Sequence, residues 1–168
     1  MAVRVVGPEQ WILIPALIVI AATIVLAIPM RVFGLSLPEP VLPMLLAFAW
    51  PLVRPSVLAP LVLAALGLFL DLFWGGPLGL WPLVLLVVYG VILAARNILA
   101  GQESIFLFLW YAGGCLLAFL IAWLAVSSIS GSMPSLWAVL LQVLPTLALF
   151  PIALFMLDRF DDGDVRFR

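Results

Sequence analysis

Six apolar stretches, parted by short polar, proline or glycine breaks, organise the chain: Trp11–Ile28, Val41–Val53, Ser56–Phe73, Leu80–Ala95, Ile105–Val126 and Leu136–Leu157. A helix rises about 1.5 Å per residue, and the hydrocarbon core of a bilayer is about 30 Å thick, so about 20 apolar residues cross it. The fifth and sixth stretches are long enough, and the first, at 18 residues, is near the limit. The second has only 13 residues and carries Pro43 and Pro51, so it reaches about 20 Å. Three accounts of it are open: extension through the Leu35–Pro40 linker, local thinning of the bilayer, or a partial span packed against its neighbours. The expected fold is all-α, a polytopic integral membrane bundle of about six transmembrane helices with short loops.

Composition strengthens this expectation. Residues of the set AVILMFWYC make up 67% of the chain and charged residues 9%, against roughly half and a quarter in a soluble domain. The longest hydrophilic block is the 11-residue end, Asp158–Arg168, so residues 1–168 are expected to form one integral membrane domain. The first stretch is longer than the core of a signal peptide and ends in Ala27-Ile28-Pro29 without a small-x-small cleavage site. It is expected to remain as the first helix.

Charge sets the orientation. With six crossings and a cytoplasmic N-terminus, Arg4, Arg54, Arg96, Arg159, Arg166 and Arg168 fall inside and only Arg31 outside. Cytoplasmic loops are enriched in Lys and Arg, so both termini are expected in the cytoplasm. A five-crossing layout blurs that asymmetry. Trp11, Trp50, Trp74, Trp81, Trp123 and Trp137 fall near segment ends, where an indole can sit at headgroup level. Trp110 and Tyr89 lie deeper and are expected to pack inside.

Much chemistry is excluded. The chain has no histidine, which removes the commonest acid-base group and metal ligand. Its single cysteine, Cys115, permits no disulfide within the chain and behaves as a small apolar residue. Neither a phosphate-binding loop nor a dinucleotide fingerprint nor a zinc-protease motif occurs. Asp71 is the only acid within an apolar stretch, so an intramembrane aspartyl pair is excluded. With a net charge of −1 and dispersed arginines, nucleic-acid binding is not expected.

Asp71 is the candidate that remains. An aspartate at a helix centre costs about 2.5–3.5 kcal/mol of insertion free energy. The 11 Leu, Phe and Val residues of its own stretch return about 3–7 kcal/mol. Two roles are open to it: a polar contact or ligand site at the outer face, or a carboxylate that binds backbone N–H groups of the following Gly75-Gly76-Pro77-Leu78-Gly79 turn. That turn is in turn either a rigid reversal between antiparallel helices or a substrate-lining re-entrant loop. On the inner side, Pro55 disfavours helix at Arg54 and Ser56 can cap the third helix. Arg54 then acts as a topology anchor or as a docking contact for a cytoplasmic partner. Gly114, Ala118 and Ala122 recur every four residues along the fifth helix, a spacing that admits close helix approach. In the sixth stretch Gln142 and Thr146 flank Pro145, giving one kinked helix with a thin polar stripe. The charged end is expected to be solvated, with a short docking strand as the alternative.

Pro51 and Arg54 in the inner loop, followed by Gly67-x-x-x-Asp71-x-x-x-Gly75-x-x-x-Gly79 with Leu78 before the last glycine, resemble the pattern of the MreD family of bacterial rod-shape-determining membrane proteins. Length, layout and the short charged end are similar across nearly the whole chain. The resemblance implies a non-enzymatic subunit of the cell-elongation complex in the inner membrane, without cofactor. Its implied partners are an MreC-like membrane protein, with RodA, a class-B penicillin-binding transpeptidase, MreB and RodZ as further members. It also implies a fold like the substrate-binding subunits of energy-coupling-factor transporters, and such a subunit is the alternative function. A transporter subunit needs a pocket with convergent polar groups. The outer loops offer Asp71, Arg31, Glu39 and Ser127, Ser128, Ser130 and Ser132.

Overall fold

A computed structural model describes residues 4–6, 9–27, 31–32, 35–36, 38–130, 135–161 and 165–167. Ile28, Pro29, Leu37, Ser132, Asp162, Gly163, Asp164 and Arg168, which enter the expectations above, lie outside the described residues. A π-helical turn, Glu9–Leu13, leads into α1, Ile14–Leu26. Then follow α2, Pro43–Val53, α3, Leu58–Trp74, α4, Leu80–Leu99, and α5, Ser104–Ser130. The last apolar stretch forms two helices, α6, Leu136–Leu147, and α7, Phe150–Asp161.

Among the described residues three helices are long and apolar enough to cross a membrane: Leu80–Leu99, Ser104–Ile129 and, taken through its break, Leu136–Arg159. Their outward faces are apolar. Leu83, Leu109, Leu116, Leu120, Leu140 and Phe155 are all exposed, the surface a helical protein presents to hydrocarbon rather than to water.

The shortest helix, α2, is the centre of the bundle. Every residue from Pro43 to Pro51 is buried, and α4 and α7 form its principal neighbours, with α1, α3 and α5 completing the enclosure. A helix apolar on all sides is stable only when surrounded on all sides. The short second stretch is therefore packed against its neighbours on every side.

Burial also corrects the aromatic expectation. Trp50 is fully enclosed, and its indole Nε1 donates to the Trp11 carbonyl at 3.0 Å. Trp11 and Trp81 are buried as well, whereas Trp137 is 70% exposed. Nearness to a segment end does not place an indole at an interface when a neighbouring helix lies over it.

The last stretch is broken rather than kinked, at Ala148–Leu149. Pro145 and Pro151 each remove a helical N–H donor, and the helix breaks between them. The Ala148 N–H donates to the Leu144 carbonyl, the Leu149 N–H to the Thr146 carbonyl, and the Tyr111 hydroxyl to that same Thr146 carbonyl at 2.8 Å. The Thr146 carbonyl at the break thus accepts both a backbone amide and a side-chain hydroxyl.

The fold is helical as expected, and the described residues add only two very short strand pairs. β1, Arg4–Val6, pairs in parallel with β4, Val165–Phe167, and β2, Arg31–Val32, pairs antiparallel with β3, Leu35–Ser36. The charged end thus contains a strand, and its partner is the beginning of the same chain. This pairing and the Trp11–Trp50 hydrogen bond put the start of the chain at the end of the bundle where α2, α4 and α7 terminate. Arg54, Arg96 and Arg159 lie at that end, and Asp71 at the other.

Candidate functional site

The α3–α4 hairpin is built around Asp71, which is 1% exposed. Its backbone carbonyl closes α3: it accepts from the N–H of Gly75 and from that of Gly76, the latter at 2.9 Å. Its carboxylate opens α4. Oδ2 accepts the Gly79 N–H at 2.6 Å, and Oδ1 accepts the Trp81 N–H at 3.1 Å.

A helix start leaves its first N–H groups without intrahelical partners, and here each has one. Gly79 and Trp81 donate to Asp71, Leu80 to the Pro77 carbonyl and Leu83 to the Gly79 carbonyl, while Pro82 has no N–H to satisfy. The negative carboxylate also lies at the positive end of the α4 dipole. Of the two roles open to Asp71 in the sequence, its contacts are those of the turn-locking one.

The glycines divide by function. Gly75 ends α3 at φ 65° and Gly79 precedes α4 at φ 93°, both in the left-handed region where a side chain is strained. Gly67 serves a different need. A Cβ there would lie 2.6 Å from the Pro82 Cα, so α3 and α4 touch backbone to backbone one turn below Asp71. Gly76 has neither constraint: its φ is not positive and a Cβ would meet nothing within 4 Å. Its contribution is the N–H. Pro77 supplies the carbonyl for Leu80.

Next to the hairpin lies a second polar group that the sequence left unconnected. The Trp74 Nε1 donates to Glu39 Oε2 at 3.0 Å, and Trp74 packs edge-on against Trp81 with ring centroids 5.5 Å apart. The Gln142 Nε2 donates to the Glu39 carbonyl at 3.3 Å. The Val41 N–H donates to Thr146 Oγ1, whose own hydroxyl donates to the Gln142 carbonyl. The polar stripe on α6 therefore holds the segment that enters α2, and Glu39 ties that segment to the end of α3. No local signal marks these pairings, which join residues 35 to 105 positions apart; only a Pro38-Glu39-Pro40 linker beside an apolar stretch hints at a fixed segment. Among the described residues every buried side-chain nitrogen and oxygen has a hydrogen-bond partner.

At the opposite end Arg54 is extended, φ −160° and ψ 125°, as the following Pro55 requires. Pro51 is buried within α2. Ser56 Oγ accepts the Leu58 N–H at the start of α3, and the Ser56 carbonyl accepts the Tyr89 hydroxyl. On α5, Gly114 and Ala118 are buried and Ala122 is half-buried. A Cβ on Gly114 would stand 3.5 Å from Val88 Cγ1 and 3.8 Å from Met44 Cε, so this small-residue face meets α4 and α2 of its own chain. The structure therefore does not gather the candidate residues into one site. Gly67, Asp71, Gly75, Gly76, Pro77 and Gly79 form one hairpin, Pro51 and Arg54 lie at the other end, and Gly114, Ala118 and Ala122 belong to the packing between. Among the described residues no cluster of acidic or cysteine side chains is arranged to hold a metal ion.

No protein-family model, curated protein or solved structure matches this chain.

Proposed function

We propose that this protein is a non-enzymatic scaffold subunit of the bacterial cell-elongation complex. In this reading it is an MreD-like partner of an MreC-like membrane protein and helps to maintain lateral peptidoglycan synthesis and cell shape. One observation carries the reading: Gly67, Asp71, Gly75 and Gly79, the fixed positions of the pattern that resembles that family, each have a separate structural task in one hairpin. A motif whose carboxylate is held by two amides of its own chain acts by shaping a rigid helix pair. Such a pair presents a constant lateral surface to RodA, the class-B transpeptidase, MreB-bound RodZ or MreC.

The layout proposed is six membrane crossings, with α2 as the enclosed short one and α6 and α7 forming the last. The β1–β4 pair and Arg54, Arg96 and Arg159 lie at one end of the bundle, and in this reading the enrichment of cytoplasmic loops in arginine assigns that end to the cytoplasm of a bacterial inner membrane. The alternative, a small-molecule-binding subunit of an energy-coupling-factor-type transporter with a related six-helix fold, needs polar groups free to meet a ligand. Around Asp71 and Glu39 they meet one another.

Affinity purification of the tagged protein from its host in mild detergent, with partners identified by mass spectrometry, tests the proposal. Recovery of an MreC-like protein with peptidoglycan-synthesis proteins is expected. Recovery of an ATPase module with a transmembrane coupling subunit overturns it.

A further inference from the structure

Because α2 stops at Val53 while α4, α5 and α7 line the space beside its end, a cleft of about 260 Å³ opens at the arginine end of the bundle. Leu52 and Val53 of α2 and Leu154 of α7 give it apolar walls, and Arg96, Ser104 and Asp158 give it polar ones. Its volume lies just below the roughly 300–1,000 Å³ of ordinary small-molecule pockets, which suits a headgroup-sized occupant.

Charge is arranged with polarity across this cleft. Arg96, half-buried, lines it together with Ser104, the first residue of α5. The leading N–H groups of a helix and its positive dipole end favour an anion. Asp158, in the last turn of α7, lines the cleft as well, where a carboxylate and the negative end of a helix favour a cation. Neither Arg96 nor Asp158 forms an ion pair with another described residue. A half-buried guanidinium beside an apolar wall is expected to hold an anionic group bidentately.

We propose that this cleft binds the headgroup of a zwitterionic phospholipid with a primary ammonium group, the phosphate at Arg96 and Ser104 and the ammonium at Asp158. The apolar wall receives the first carbons of the lipid tails. The cleft lies at the ends of α4 and α7, parts of helices long and apolar enough to cross a bilayer, and lipid headgroups lie at the ends of such helices. A purely anionic lipid satisfies Arg96 but meets Asp158 with like charge. The proposal stands apart from the scaffold function and holds whether or not an MreC-like partner is recovered.

Native mass spectrometry of the full chain in detergent, with added phosphatidylethanolamine or phosphatidylglycerol, tests it. Phosphatidylethanolamine is expected to be retained in preference. Arg96→Gln should lower that retention about tenfold, the change for one hydrogen bond to a charged group. Asp158→Asn should instead reverse the preference towards phosphatidylglycerol, an outcome that a merely damaged fold cannot give. Equal retention of both lipids by the unaltered protein overturns the proposal, as does indifference to both substitutions. Binding of water-soluble phosphoethanolamine as tight as that of the lipid overturns the lipid as the source. Retention of neither lipid, with a co-purifying cytoplasmic peptide in their place, assigns the cleft to a protein and overturns it too.

Discussion

The Asp71 carboxylate receives the Gly79 amide at 2.6 Å, across a turn in which the Asp71 carbonyl already receives the amides of Gly75 and Gly76. One residue thus ends α3 and begins α4. Asp71→Ala removes the acceptor of the buried Trp81 N–H and of the part-buried Gly79 N–H. An unsatisfied buried group costs about 1–3 kcal/mol, so a loss of at least about 1–3 kcal/mol is expected from Trp81, read as a fall in unfolding temperature in detergent. Asp71→Asn keeps one carbonyl acceptor and should lose less. Equal stability of Asp71→Ala and the unaltered protein would show that the capping bonds carry no weight.

The glycines of the motif should not respond alike. Gly67→Ala forces a methyl against the Pro82 backbone and should destabilise by about 1–3 kcal/mol, the usual range for overpacking. Gly75→Ala places a side chain at φ 65°, with an expected cost of about 1–2 kcal/mol. Gly76→Ala meets open space at an ordinary φ and should stay within about 0.5 kcal/mol of the unaltered protein. Thermal unfolding of the three variants side by side checks the order.

On α5, Gly114→Ala is expected to be tolerated, because the added methyl reaches Val88 at an ordinary contact distance of 3.5 Å. Gly114→Leu cannot fit between Val88 and Met44 and should reduce the yield of folded protein, seen as loss of the monodisperse peak on size exclusion. Leucine at Leu116, which is 57% exposed, offers the control position: Leu116→Ala should leave that peak unchanged.

Tryptophan position gives a test independent of stability. In vesicles of brominated lipid, a variant retaining only Trp137 should be quenched strongly, since that indole is 70% exposed. One retaining only Trp50 should be quenched little, because Trp50 is fully enclosed and bonded to the Trp11 carbonyl. Comparable quenching of both would place α2 at the lipid boundary.

The two ends of the chain should be reached from the same side. Cysteine introduced at Arg4 or Arg166, in a background with Cys115 replaced, should react with a membrane-impermeant reagent only when the cytoplasmic face is opened. Labelling of either from intact cells reverses the orientation, and labelling of one alone breaks the β1–β4 pairing.

What the chain determines by itself is local or periodic. Apolar length marks the helices, Pro55 and Gly75 mark their ends, and the Asp71 register narrows that carboxylate to a turn lock or an outer-face ligand site, because its turn partners lie within ten residues. Arginine placement marks one end of the bundle by the same local means. Tertiary packing alone decides which apolar helix is central. α2 has too few residues to announce itself by length, and its hydrophobic pattern does not distinguish lipid from protein as surroundings. The same holds for Trp50, buried and bonded to Trp11 of the π-helical turn, and for Thr146, whose hydroxyl and carbonyl serve Val41 and Tyr111. Hydrocarbon and a protein interior are equally apolar, so hydropathy cannot tell them apart; only the positions of the other helices, and the backbone groups left over at their breaks, settle which face meets which.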